Sequence, residues 1–471
     1  MVGVARHVVV VGGGIAGLAA AYALTRSPGT TVTVVDGARA FGGKLRTSTI
    51  DGLAVDEGAE AFLMTGAHGL DLARAVGLGG DIVHPATTAA LIAVDGSLRP
   101  LPTGTVLGVP GDLAALAASG VLTPAGLARV RAESDGPEPA GDVSVGELVR
   151  ERLGDEVVDR LVDPLLGGVY AGRADALSLR ATVPALAAAM EAQPSLLAAA
   201  RSVRAAAPQR SGPVFASLRG GLGALVPAVV RALAADLRLG LPVREIRRSG
   251  TGFMLTAGPV PNPTHLSADA VLLAVPAAPA GRLLRELAPV AVTELAGVDY
   301  ASTAIVTLAY QGAALPPGSG VLVSAGERRS VKALTFSSQK WAHLAGGLTV
   351  VRASIGRHGE EAVLQRPDED LAALAAGDLA ALTGITVSAV AVRVTRWGGA
   401  LPQYAVGHLD RVRRIETAVS AVPGLAVAGA AYHGVGVPAC IASGYAAAER
   451  IATYLDSPRR QQTRLGQWEH G

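Results

Sequence analysis

The run HVVVVGGGIAGLAAAYALTR, residues 7 to 26, constrains this chain more than any other stretch. HVVVV is short, apolar and β-branched, which suits a strand buried on both faces of a parallel sheet. Gly12, Gly14 and Gly17 follow in G-x-G-x-x-G order, with Gly13, Ile15 and Ala16 between them, and helix-forming residues take over. The first glycine permits a tight turn, the second lets backbone approach a pyrophosphate, and the third lets the helix lie on the strand. A second strand, TVTVVD, ends at Asp36, twenty-two residues beyond Gly14, where a carboxylate can accept hydrogen bonds from a ribose. This order predicts a Rossmann-type dinucleotide site, which serves NAD and FAD alike. The apolar run from Val8 to Leu24 is neither a signal peptide nor a membrane span, because three consecutive glycines interrupt it.

With 471 residues the chain is too long for one ordinary core. A formal net charge of +2, with no block of basic residues, excludes nucleic acid as a partner. Cys440 is the single cysteine, so there is no disulfide framework and no metal-ligand set is expected. Arginine far outnumbers lysine, which occurs only at 44, 332 and 340. No other long uncharged segment follows the first, and the expected setting is cytoplasmic, with membrane contact at most peripheral.

The fold class expected is α/β: a Rossmann-type cofactor domain assembled from discontinuous segments, an antiparallel-sheet substrate domain and a helical insertion. Residues 1–85, 210–275 and 395–458 are assigned to the first, 86–110 and 276–394 to the second, and 111–209 to the third. Runs such as SVGELVRERLGDEVVDRLVDPLL repeat at helical spacing and define the insertion. STAIVTLAY, GVLVSA, SVKALTFSS and LTVVRASIG read as strands of the substrate sheet, and DEDLAALAAGDLAALTG as its helix. The tail RRQQTRLGQWEHG is expected to be mobile.

A second glycine-built helix start, AGAAYHGVGVPACIASG, lies at 428 to 444. Its helix N-terminus carries partial positive charge, which favours negative charge on the pyrimidine edge of a flavin, and Pro438 suits the first helical turn. Between the two starts, Arg39, Gly42, Gly43 and Lys44, then Asp56, Glu57 and Gly58, resemble the R-x-x-G-G-[RK] and D-x-G motifs of the FAD-dependent amine oxidase, phytoene desaturase and porphyrinogen oxidase superfamily. That resemblance selects FAD over NAD. LLGGVYAGRADALSLRATVP, SLRGGLGAL, ALPQYAVGHLDRV and AAYHGVGVPACIASG narrow it, because together they look like the flavin-dependent protoporphyrinogen and coproporphyrinogen III oxidases over nearly the whole chain. The amine oxidase branch usually has an acidic residue after A-G in the last strand, where Ala430 and Ala431 stand here.

The family resemblance implies oxidation of a porphyrinogen to a porphyrin by oxygen, with noncovalent FAD as the electron sink and few demands on protein acids or bases. Matching residues imply cofactor contacts from Gly12 to Gly17, Asp36, Gly37, Lys44, Gly58, Ala59, Glu60, Ala61, Val243, Trp397, Gly436, Val437 and Pro438. They place Gly168 beside the substrate, its carbonyl accepting from a pyrrole N–H, with Tyr170, Arg173, Tyr404, His408 and Arg99 as further pocket candidates. Mitochondrial-type relatives pair a propionate with an arginine where Ala90 stands here, and Arg99 comes only later. This departure favours coproporphyrinogen III. Protoporphyrinogen IX stays open, as do, further off, an amine oxidase or desaturase and a flavin-loaded porphyrin carrier. Transient contact with a ferrochelatase is left open too.

Overall fold

The computed structural model describes residues 6–64, 66–136, 139, 141–206 and 212–457. The C-terminal tail lies outside them. Arg6–Val11 forms the central strand of a five-stranded parallel sheet, flanked by Thr30–Val35 and Ala270–Leu273, with Asp236–Arg238 and Leu425–Val427 at the edges. Its valines are divided between two cores. Val8 and Val10 pack with Leu18, Ala20 and Ile441 on the helical face. Val9 and Val11 pack with Ile246, Phe253 and Leu255 on the other face, from a three-stranded antiparallel sheet. Burial of both faces is why the strand reads as an unbroken apolar run.

Two helices meet on the first face. The helix Ile15–Leu24 leaves the first glycine turn, and the helix Val437–Asp456 leaves the second. They cross closely because Gly444 has no side chain: a methyl there would stand 2.2 Å from the Ala16 carbonyl oxygen. Both glycine-built starts therefore belong to one packed pair and open on the same side of the sheet.

A seven-stranded sheet carries the second body. Its order is Ala391–Pro402, Tyr300–Tyr310, Thr349–Ile355, Val331–Phe336, Gly320–Val323, Leu91–Val94 and Ser97–Pro100, antiparallel except where Gly320–Val323 runs beside Leu91–Val94. One face buries Val306, Leu308, Val351 and Leu334 against the helix Asp368–Thr383. The helical insertion packs by its own core, which includes Leu161, Val162 and Leu166 and reaches the sheet at Ile92.

Two expected boundaries move. A cut at 395 splits the strand Ala391–Pro402, whose pairing with Tyr300–Tyr310 ties it to the seven-stranded sheet. The helices Ala277–Leu283 and Pro289–Ala296, expected with the substrate sheet, bury Ala280, Leu284 and Leu295 in the core beneath the parallel sheet.

Candidate active site

The first glycine turn is built as its spacing predicts. Gly12 has φ of +108°, and a Cβ there would meet the Ala274 carbonyl oxygen at 2.4 Å. At Gly17 a Cβ would fall 1.9 Å from the Gly12 oxygen, so both positions exclude any side chain. Gly14 differs. A Cβ there would meet nothing within 4 Å, so packing within the protein does not ask for glycine, whereas a ligand lying on the backbone does. The Gly13 amide donates to Asp36 Oδ2 at 2.6 Å and the Ala38 amide to Asp36 Oδ1 at 2.7 Å, fixing the carboxylate beside the turn. A cavity of about 460 Å³ opens next to it, lined by Gly12, Asp36, Gly37 and Val243. Ile15 and Ala16 are buried at the start of the helix.

Lys44 lies further along the same groove. It is half-buried, and no carboxylate of the described residues pairs with it. Burial lowers its pKa, and the nearby Cys440 works in the opposite sense. Burial also pushes the Cys440 thiol up to about 11, so it stays protonated. An unpaired, half-buried cation next to the start of the C-terminal helix, where Gly436, Val437 and Pro438 stand, suits an electron-rich ligand.

The loop 58–61 joins the two bodies. A Cβ at Gly58 would strike the Lys44 oxygen at 2.1 Å, with the Trp397 ring just beyond at 3.2 Å, and the Ala59 amide donates to the same oxygen. Trp397 Nε1 donates to the Glu57 carbonyl at 2.8 Å. The Glu60 side chain points away from the groove. Its carboxylate pairs with Arg352 and Lys340 and accepts from Trp341 Nε1 at 2.8 Å, so any contribution to a cofactor from Glu60 or Ala61 is through backbone. Burial by itself would raise the Glu60 pKa, but the two cations outweigh it and bring it to about 2. Asp56, from the D-x-G motif, accepts from the Leu222 amide and from Thr47, and so caps the turn of SLRGGLGAL.

Facing this groove, the seven-stranded sheet presents a floor. Leu322, Ala333, Ser354, Ile305 and Thr395 pair directly across five strands and therefore share one face. All five are partly exposed although they lie in the middle of a wide sheet. The row spans about 20 Å at normal strand spacing. On one side of it Thr335, Arg352 and Thr307 align, with Arg352 also reaching the Gly58 carbonyl. On the other side Thr303 faces Trp397. The floor therefore looks toward the cofactor loop; its central row is uncharged, with Arg352 and Arg393 along one side and Arg99, reached through Ile92, at its far end.

Gly168 lies on the wall, in the helix Asp163–Tyr170, with Leu322 Cδ2 of the floor 3.8 Å from where its Cβ would be. That is ordinary contact, so an alanine fits the protein and would favour the helix by about 0.5–1 kcal/mol. No donor among the described residues bonds the Gly168 carbonyl, because the turn leaves the helix at Ala171 in the left-handed region, φ +52°. Tyr170 is mostly buried, tilted against Tyr404 at 5.6 Å, and burial raises its pKa to about 12.

The structure corrects two pocket expectations, His408 and Tyr404, and locates two more, Arg173 and Arg99. His408 has no exposed surface: it stacks on Tyr404 at 3.8 Å and Nε2 meets the Tyr432 carbonyl at 2.8 Å, so it holds the second glycine turn instead of facing substrate. Burial lowers its pKa to about 4 against the pull of that hydrogen bond, leaving it neutral. Tyr404 is equally enclosed and donates to the Ala430 carbonyl at 2.6 Å. Arg173 is occupied by Glu360 and Asp163. Arg99 is exposed on the outermost strand, paired with Ile92, which pairs in turn with Leu322, so it stands at the edge of the floor's face. Sequence reasoning missed the floor row, which needs the register between strands, and Gln403, which sits inside the quoted PQY motif.

The parallel sheet, two helix starts on one side of it and a glycine cradle shaped for something outside the protein define a flavoprotein oxidoreductase. The profile of flavin-containing amine oxidoreductases matches residues 15–452, and the chain belongs to that family. Its cofactor is FAD, and the glycine cradle, Asp36 and Lys44 fit it. Among named relatives, the coproporphyrinogen III oxidase of Mycobacterium leprae is 40% identical over 95% of this chain and 98% of its own length. That of Bacillus subtilis is 33% identical over 96% of this chain and 99% of its own. The solved structure of an Exiguobacterium protein, provisionally named protoporphyrinogen oxidase, aligns with a TM-score of 0.86 and 34% identity over 95% of this chain and 98% of that one. No helix among the described residues is long and apolar enough to cross a membrane.

Proposed function

We propose that this flavoenzyme oxidises coproporphyrinogen III to coproporphyrin III, with oxygen as the final acceptor. The observation that carries the reading is the row of Leu322, Ala333, Ser354, Ile305 and Thr395, five strands long, with the open Gly168 at its wall. A tetrapyrrole macrocycle matches the roughly 20 Å length of that row, and a small amine would cover only part of it. The names of the relatives support the same substrate class. When bound, the flavin supplies the acceptor for two electrons and a hydrogen in each of three rounds.

The chain's own residues bind and orient. Gly12, Gly14 and Gly17 would hold the pyrophosphate, Asp36 the ribose, and Val243 with Gly37 the adenosine end. Lys44 and the helix start at Gly436 to Pro438 would favour negative charge at the flavin's pyrimidine edge. Trp397 and Gly58 would hold the ring from the side of the sheet. Gly168 would meet the substrate through its carbonyl, with Tyr170 behind it. The division of labour follows: a cofactor body, a substrate sheet and a helical insertion that supplies the wall. A cytoplasmic setting and contact with a ferrochelatase belong to the same reading.

The test is direct. Flavin-loaded protein is given coproporphyrinogen III or protoporphyrinogen IX, and porphyrin fluorescence is followed. Faster turnover of the four-carboxylate substrate is expected; equal or reversed rates favour protoporphyrinogen, and no porphyrin from either rejects the reading.

A further inference from the structure

The turn that follows Gly168 is held from three directions, and the holding groups come from elements distant in sequence. Gln403 Nε2 donates to the Tyr170 carbonyl at 2.8 Å. The His358 amide donates to the Ala171 carbonyl at 2.8 Å. Asp163 Oδ1 accepts from the Ala174 amide at 2.9 Å, while its Oδ2 pairs with Arg357 Nη1 at 2.7 Å. Both members of that pair are buried, and Arg357 Nη2 reaches on to the Val323 carbonyl, next to the floor residue Leu322. The turn also leaves no room for adjustment, since a Cβ at Gly172 would stand 2.2 Å from Gln403 Oε1. Every tie goes to a residue after Gly168, and among the described residues the Gly168 carbonyl itself is left without a donor.

Resting on the function proposed above, we propose that Gln403 and the Asp163–Arg357 pair are positioning residues that aim the free Gly168 carbonyl at the substrate. Their effect belongs to the reaction step. With flavin bound, a breaking ring C–H bond would give up its electron pair and hydrogen together as hydride, and the macrocycle left behind would carry one positive charge shared with a pyrrole N–H. A carbonyl fixed on that N–H meets a stronger donor in the transition state than in the ground state, so its placement acts on kcat more than on KM. A fixed dipole is also better than a mobile one, because no reorganisation is needed when the charge appears.

The test uses flavin-loaded Gln403→Leu, Arg357→Met and Arg357→Lys with coproporphyrinogen III. Turnover per bound flavin is expected to fall about tenfold in the first two, with KM within about twofold of the parent. Arg357→Lys, which keeps a cation for Asp163, is expected to recover at least half of the loss. Coproporphyrin binding, read by fluorescence quenching, should stay within about twofold in all three, showing a formed pocket. Unchanged turnover per flavin in Gln403→Leu and Arg357→Met overturns the proposal, and so does a loss that falls wholly on KM or is matched by lost coproporphyrin binding. If the parent enzyme oxidises no porphyrinogen, the function itself fails and this role falls with it.

Discussion

Gly168 and Lys332 show what single residues give up for the site. The helix around Gly168 has room for a methyl, so Gly168→Ala should raise stability by about 0.5–1 kcal/mol in thermal unfolding while porphyrinogen turnover drops about tenfold. A loss of both stability and activity would show that packing within the protein, not an occupant, requires the glycine. Lys332 is 7% exposed, and among the described residues its Nζ donates only to the Gly356 carbonyl. Burial, with Arg357 adding to it, lowers its pKa to about 7, only partly opposed by Glu360. The unfolded chain therefore binds the extra proton between pH 7 and the ordinary lysine range, and stability from this group rises with pH across that window. Lys332→Met should be more stable than the parent at pH 7, by a few kcal/mol, and the gap should narrow toward pH 10 in denaturant titrations. The scarcity of lysine was visible in the sequence, and all three lysines turn out to be fully or partly enclosed. The partners of Lys332 and Lys340, the Gly356 carbonyl and Glu60, were not visible, because they are brought close only by the fold.

At the scale of elements, the two glycine-led helices are the most legible part of the chain and also the part whose pairing was hidden. Each start follows from local rules: an apolar strand, a turn that needs glycine, then helix formers. That the helices Ile15–Leu24 and Val437–Asp456 lie on each other depends on Gly444, which no local pattern singled out from the other glycines. Gly444→Ala places a methyl into the Ala16 backbone, which should cost about 1–3 kcal/mol and reduce the flavin retained through gel filtration. Normal flavin content and stability would mean that the helices can slide apart freely. The link between Asp56 and SLRGGLGAL was equally out of reach, since the two motifs are far apart in sequence and are joined through the Leu222 and Gly223 amides. His408 was misread for a related reason: its motif marks it as important, but burial decides that its importance is to hold Tyr432.

For the whole molecule, the Glu60 cluster is the main ionic tie between the cofactor groove and the substrate sheet. The Glu60 side chain is 9% exposed and the Arg352 side chain 8%, so the pair is sheltered from screening. Because the folded pKa of Glu60, about 2, lies below its ordinary value, this contribution is complete above pH 4.5 and disappears as pH falls toward 2. Glu60→Gln should lower stability at pH 7 by about 3–5 kcal/mol, with the deficit shrinking in acid, followed by thermal unfolding between pH 7 and pH 3. A constant deficit across that range would assign the effect to shape instead of charge. The fold class and the alternating strands were legible from periodicity. Domain edges were not, because the strand Ala391–Pro402 and the helices after Pro276 are placed by what they pack on and look locally like their neighbours.

The neutral central row separates two tasks that many enzymes must solve with the same atoms. With the central row uncharged and Arg352, Arg393 and Arg99 at its margins, acidic arms on the periphery of a macrocycle laid there would meet charge only at the edges, and the surface under the rings would be blind to how many there are. Substitutions at the rim can thus retune which tetrapyrrole enters while the machinery for removing electrons stays as it is, leaving descendants of this scaffold free to follow a change in their pathway.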